Sequence, residues 1–239
     1  MKKIAILITL LLCCSCTVQN HNPINNSEPD NKNFRKLQKE HFWQSICFKH
    51  KYNTDALPAW HMDVLLMQEI VGPVLEKNKK DIELWRIHRR ANNDKAGHQF
   101  TFWIYTKKKL ADKIYTDIKT NSLLEQLQTE GYIEKVFYSN NLDKPFISDT
   151  SDKRWSMNVQ ISWTKFIQGV CEMWYDQGKI LSNANRPDND LNKLIAYYKE
   201  VNELINLEWH YGASHAYFHH LNAIYGYVPV NIAGTPVRF

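Results

Sequence analysis

Residues 83–106, ELWRIHRRANNDKAGHQFTFWIYT, set two runs of aromatic and β-branched residues on either side of a polar loop that ends in glycine. Glu83 to Arg90 and His98 to Thr106 read as strands, and Asn92-Asn93-Asp94-Lys95-Ala96-Gly97 as the turn between them. Side chains alternate across a strand, so Trp85, Ile87 and Arg89 share one face while Arg86, His88 and Arg90 share the other. In the next strand His98, Phe100, Phe102 and Ile104 alternate with Gln99, Thr101, Trp103 and Tyr105. If Phe100 and Phe102 face covering helices, the opposite face carries Arg86, His88, Arg90, Gln99, Thr101, Trp103 and Tyr105.

Outward from this hairpin, helix and strand patterns alternate. Leu57 to Lys77 has helical periodicity, with Pro58 in its first turn, a broad apolar stripe through Trp60, Val64, Leu65, Ile70 and Leu75, and a kink expected at Gly72-Pro73. Phe42 to Lys49 (FWQSICFK) before it is strand-like. After the hairpin, Lys108 to Thr129 reads as a second helix with Gly131 as its C′ residue, and Tyr132 to Tyr138 as a fourth strand. The order β-α-β-β-α-β predicts an α+β fold of ferredoxin-like type, four antiparallel strands under two helices. A polar loop from Ser139 to Lys153 leads to a helical half. Val159 to Gln177 is one helix there, and Asp190 N-caps another that runs toward Tyr225, with a break or bend expected at Gly212.

The 239 residues include 8 Trp, 12 Tyr and 10 Phe but only 8 Gly and 8 Pro, which argues against a turn-rich sandwich or a disordered chain. A net charge of +5, two of it from Lys2 and Lys3, makes no case for nucleic acid. No nucleophile elbow, P-loop or dinucleotide fingerprint occurs.

Met1-Lys2-Lys3 followed by the apolar run Ile4 to Leu12 is too short to span a membrane and reads as a signal peptide, residues 1–15. Cys13, Cys14 and Cys16 follow. This resembles the lipobox of bacterial lipoproteins, which implies a lipid-attached cysteine: Cys16, preceded by the small Ser15, or alternatively Cys14, with Leu11 three positions upstream. Residues 16–36 then form the anchor and a polar, Asn-rich tether with an r.m.s. span of about 25 Å. No Asp follows any candidate anchor. By resemblance to the lipoprotein sorting rule, this implies the outer membrane, facing the periplasm. Residues 37–239 are expected to form one α+β domain, with 37–140 as its βαββαβ part and 154–239 as its helical part. Cys47 and Cys171 lie in apolar settings and are expected as thiols rather than a disulfide.

Trp85, Ile87, Arg89, Asp94 and His98, with Gly131 before the fourth strand and the histidine-rich stretch His215 to Tyr227, resemble the thiopeptide-type bacteriocin biosynthesis domain. That family is also found as the C-terminal elimination domain of lantibiotic dehydratases. The resemblance covers most of the folded region and implies the fold above. Where the family carries alternating arginines and an Asn-Arg pair, this chain has Phe100, Phe102 and Asn222-Ala223. A glutamate-eliminating enzyme without those guanidiniums lacks its clamp on an acidic leaving group, so the resemblance supports the fold and weakens the enzymatic reading.

The expected binding surface comprises Arg86, His88, Arg90, His98, Trp103, Tyr105, His219, His220 and Asn222, an aromatic and cationic face suited to a peptide or an envelope protein. The alternative is that the helical half or a second copy covers the sheet face. His215 and His219 stand one helical turn apart, but without an intervening acid or a third ligand they carry no metal expectation. The terminal helix is instead expected to pack on the sheet through His215, His219 and Asn222-Ala223. No cofactor is implied. The function expected is a membrane-tethered, non-catalytic binding or assembly lipoprotein, the alternative an altered elimination-domain relative.

Overall fold

The computed structural model describes residues 40–51, 57–90, 96–139, 142–182, 186–187, 190–232 and 234–237. The leader, the lipobox cysteines with Cys14 and Cys16, the tether to Lys36 and Asp94 lie outside the described residues.

The fold is α+β. Four strands, β1 (His41–His50), β2 (Leu84–Arg90), β3 (Gln99–Lys107) and β4 (Ile133–Ser139), form one sheet in the order β2-β3-β1-β4, every neighbouring pair antiparallel. Ile46 lies opposite Phe102 and Phe48 opposite Phe100. All four are fully buried, because strand alternation puts them on the face that the first four helices cover. Trp85 and Ile87 join the same core.

The first helical stretch begins as α1 (Trp60–Leu65), widens into a π-helical segment (Leu66–Val71) and resumes as α2 (Gly72–Asn78). Pro73 has no N–H for the helical ladder, and the Gly72 N–H reaches back five residues to the Met67 carbonyl. The expected kink is thus a register change. A Cβ on Gly72 would lie 2.8 Å from the Tyr175 ring, so glycine is what permits that close approach.

The expected second helix is two: α3 (Lys108–Lys119) and α4 (Ser122–Thr129). Asn121 divides them, its side chain accepting the Leu124 N–H at 3.1 Å, a capping bond that competes with helix continuation. Gly131, at φ +77°, ends α4 with its N–H on the Gln128 carbonyl, as a C′ glycine should.

The long helix α5 (Met157–Leu181) runs along the outer edge of β2. Two edge N–H groups find acceptors on it: Trp85 donates to Gln168 Oε1 at 3.2 Å and Ile87 to Cys171 Sγ at 3.3 Å. An edge strand that would otherwise invite another chain is thereby closed. Helix α6 (Leu191–Glu208) is N-capped by Asp190, which accepts from the Asn192 and Lys193 N–H groups. Cys47 and Cys171 are both free thiols, Cys171 buried and Cys47 half-buried. Burial pushes the Cys171 thiol up to about 11 and raises Cys47 as well.

Residues 32–211 and the C-terminal segment from Gly212 fall into separate compact units. A π-helical turn (Trp209–Ala213) spans Gly212, where a break was expected. In the C-terminal segment α7 (Ser214–Ile224) is followed by a small hairpin, β5 (Val230–Ile232) with β6 (Thr235–Val237), which the sequence reading did not anticipate. Among the described residues no helix is long and apolar enough to cross a membrane.

Candidate functional site

The second face of the sheet is not the open platform expected. The segment between β4 and α5 crosses it: the Trp43 indole N–H donates to the Ile147 carbonyl at 2.9 Å and the Tyr105 hydroxyl to the Pro145 carbonyl at 2.7 Å. Trp43, Leu84 and Tyr105 form a second small core there, with Trp103 and Ile147 packed against it. Tyr105 is therefore buried rather than presented, and burial pushes its hydroxyl up to about 12. Arg86 is half-buried, its guanidinium 5.5 Å from the Trp103 ring and its Nη2 3.5 Å from the Thr150 carbonyl. Of the expected face His88 is exposed, Arg90, Gln99 and Trp103 are half-buried like Arg86, and Thr101 is buried like Tyr105.

The residues expected of the terminal helix lie in the C-terminal segment. His215 and His220 are exposed, His219 is half-buried beside Tyr227, and Asn222 is buried. The cover on the sheet's second face comes from the segment that carries Pro145, Ile147 and Thr150.

His98 belongs to a different constellation. It precedes β3 on the helix-facing side, is buried, and meets Asp63 of α1, His50 at the end of β1 and Arg89 of β2. His50 Nε2 lies 2.9 Å from Asp63 Oδ1, and His98 Nε2 lies 3.1 Å from the same oxygen. Arg89 Nε donates to Asp63 Oδ2 at 2.7 Å and its Nη2 to the Trp60 carbonyl at 3.0 Å. The guanidinium also lies between the rings of Trp60 and Trp174, 4.8 and 5.0 Å from their centroids. One fully buried carboxylate thus ties α1 to the ends of three strands.

The electrostatics follow from that geometry. Burial alone would raise the Asp63 carboxyl, but hydrogen bonds from His50 and His98 and the Arg89 charge outweigh it and hold the group well below the usual carboxylate range. Burial lowers His50 despite its bond to Asp63, which favours the neutral ring, and a carboxylate oxygen can only accept, so Nε2 is the donor. Its Nδ1 has no hydrogen-bond partner among the described residues.

His50, Asp63 and His98 bring one ligand atom each within 4.8 Å of one another, the spacing a metal ion needs. The ring planes oppose that use. The two imidazoles stack, centroids 4.0 Å apart and planes 15° from parallel, and an imidazole lone pair lies in its ring plane. Two such lone pairs run side by side instead of meeting about 2.1 Å from each nitrogen. A carboxylate accepts from both N–H groups without difficulty, and the arrangement is that of a hydrogen-bond network centred on the Asp63 carboxylate.

The sequence reading named Arg89 and His98 but missed Asp63 and His50. The signal was present: Leu66, Met67 and Ile70, which follow Asp63 at helical spacing, are all apolar, so the carboxylate sits on a core stripe where a charge needs partners. Comparison with protein-family models, with curated proteins and with solved structures finds no match to this chain.

Proposed function

We propose that the protein is a non-catalytic binding or assembly module of the cell envelope, anchored through Cys16 (alternatively Cys14) in the outer membrane and docking a protein or peptide partner through its C-terminal segment. One observation carries this reading. No Asp, Glu, Lys or Arg occurs between Trp209 and Val237, yet large apolar side chains in that stretch are exposed, Ile224 by 80% and Tyr225 by 70%. Phe218, Leu221 and Val228 add to the same uncharged surface. Large exposed apolar patches on a folded domain mark interaction sites, and a face without formal charge suits an apolar protein surface better than a polar ligand.

The test is a pull-down from solubilised envelope with the full chain as bait, beside the variant Ile224→Asp/Tyr225→Asp. A partner held by the wild type and lost by the variant supports the reading. Equal capture by both, or self-association as the sole species lost, removes it. The anchor is tested separately: Cys16→Ala abolishes labelling by radioactive palmitate, persistence with loss at Cys14→Ala moves the anchor to Cys14, and labelling independent of all three leader cysteines refutes it.

A second reading, an altered relative of the thiopeptide and lantibiotic dehydratase elimination domains with lyase-type or peptide-binding activity, is favoured by two facts. The strand order β2-β3-β1-β4 with all neighbours antiparallel is the order expected of a ferredoxin-like βαββαβ unit. Two residues of the resembling motif, Arg89 and His98, also meet on one carboxylate. A glutamylated peptide that the full chain converts to the dehydrated product would establish this reading over the first.

A further inference from the structure

A cleft of about 700 Å³ opens where the chain enters the sheet, lined by His41 at the start of β1, Lys80 and Asp81 ahead of β2, Thr106 and Lys107 at the end of β3, and Lys109, Leu110 and Lys113 of α3. Its charge is one-sided: four ammonium groups and an imidazole face a single carboxylate, Asp81. Neighbouring lysines outside the cleft are neutralised, Lys108 by Asp112 at 2.6 Å and Lys77 by Asp117 at 3.0 Å. Among the described residues none of the cleft's four lysines has such an ion pair, and Lys113 meets only the neutral Asn78 amide, at 3.2 Å. Lys107 and Lys109 stand at the positive end of the α3 dipole, whose first turn has no acidic residue. That placement costs helix stability, and an anion in the cleft offsets the cost. Leu110 and the lysine stems supply apolar surface between the charges.

We infer that this cleft docks the phosphate-bearing headgroups of anionic phospholipids, holding the domain against the membrane that its tether reaches. The inference rests on the lipid-anchored reading for the identity of the surface. Only residues 37–40 separate His41 from the tether, so the basic cleft is close along the chain to the point where the tether joins the domain, and each lysine within a Debye length of an anionic surface adds to the attraction. Zwitterionic lipid offers no net charge for such a cleft. Free phosphate shares the headgroup chemistry and is the competing source.

The experiment measures co-sedimentation of the full chain with phosphatidylglycerol-containing vesicles and with pure phosphatidylcholine vesicles. It compares the wild type, Lys80→Glu/Lys107→Glu/Lys109→Glu, the milder glutamine triple at the same sites, and a control triple, Lys165→Glu/Lys193→Glu/Lys199→Glu, of equal charge change on α5 and α6. Leader and C-terminal segment are common to all, so differences report the cleft. The glutamate triple should lose partitioning into anionic vesicles by more than about tenfold, the glutamine triple by less, and the control by much less than either. Binding of the cleft variants equal to wild type, or an equal loss in the control, overturns the inference. Millimolar inorganic phosphate that displaces the wild type from vesicles and protects it against thermal unfolding, where vesicles do not, would assign the cleft to a soluble phosphate instead. Palmitate labelling that is absent from the wild type or independent of all three leader cysteines, with cleft-dependent partitioning intact, would refute the anchor and leave the cleft.

Discussion

The sheet half and the C-terminal segment use the same kinds of residue in opposite ways. In β1 and β3, Phe48, Phe100 and Phe102 recur at every second position and are fully buried under the first four helices. From Gly212 onward, Tyr217, Phe218, Tyr225 and Tyr227 lie on a helix and its exit turn, and all are exposed. A period-two pattern directs every aromatic ring to one side of a strand, where another element covers it, whereas Tyr217, Phe218, Leu221 and Ile224 form one stripe of α7 that stays exposed, with His215, His219 and Asn222 on its other side. Aromatic content alone therefore says little about the size of a core. Helix α5 lies between the extremes: Tyr175 and Cys171 are buried against the sheet half while Phe166 and Ile180 are exposed.

The contrast breaks first at the core. Phe102→Ala should cost about 3–5 kcal/mol in urea unfolding, a fully buried ring replaced by a cavity. A loss below about 1 kcal/mol would show that the sheet half is as loosely covered as the terminal segment.

Asp63→Ala should cost a similar amount, about 3–5 kcal/mol, because it leaves Arg89 and two imidazoles without their shared acceptor. The same cluster makes stability pH-dependent. His50 is lowered in the fold, so the unfolded chain takes up its proton first, and stability is full above about pH 6.5 and declines below it. Asp63 is likewise lowered, so a second loss begins below about pH 4. Thermal melts across pH 3–8 (about that range) check both, and a wild type as stable at pH 5 as at pH 8 would remove His50 from the account.

Gly72→Ala should destabilise by about 1–3 kcal/mol, since the new methyl meets the Met67 carbonyl at 2.7 Å and the Tyr175 ring at 2.8 Å. Gly178→Ala sharpens the point. Its nearest neighbour is the end of the Gln68 side chain, 2.5 Å away, which can swing aside, so the cost should be smaller. Equal costs would mean that the π-helical segment, and not the Tyr175 contact, dictates glycine at 72.

The smallest effect belongs to the exposed segment. Tyr225→Ala and Ile224→Ala should each change stability by no more than about 0.5 kcal/mol while weakening partner capture. A stability loss comparable to that of Phe102→Ala would mean that these side chains are core.

Local pattern made most of the sheet half readable. The four strands, the inward side of Phe100 and Phe102, the Asp190 cap and the Gly131 stop each follow from a few consecutive residues. The π-helical segment and the break at Asn121 escaped because both arise where one residue, Pro73 or Asn121, changes which backbone groups are paired, and apolar periodicity does not record that. The cover over the second face escaped because Ser139 to Lys153 reads as a polar loop, yet the Ile147 and Pro145 carbonyls within it are what Trp43 and Tyr105 need.

The sequence by itself determined the order of strands and helical stretches in the sheet half, the core face of β2 and β3 and the uncharged terminus, since each depends on neighbours one to seven positions apart. Only the tertiary structure decided that Asp63, His50, Arg89 and His98 share one site, or that Lys80 joins Lys107, Lys109 and Lys113 around one cleft. Those groupings join residues up to 48 positions apart, from His50 to His98, through strand pairing and helix docking, and no local spacing encodes them.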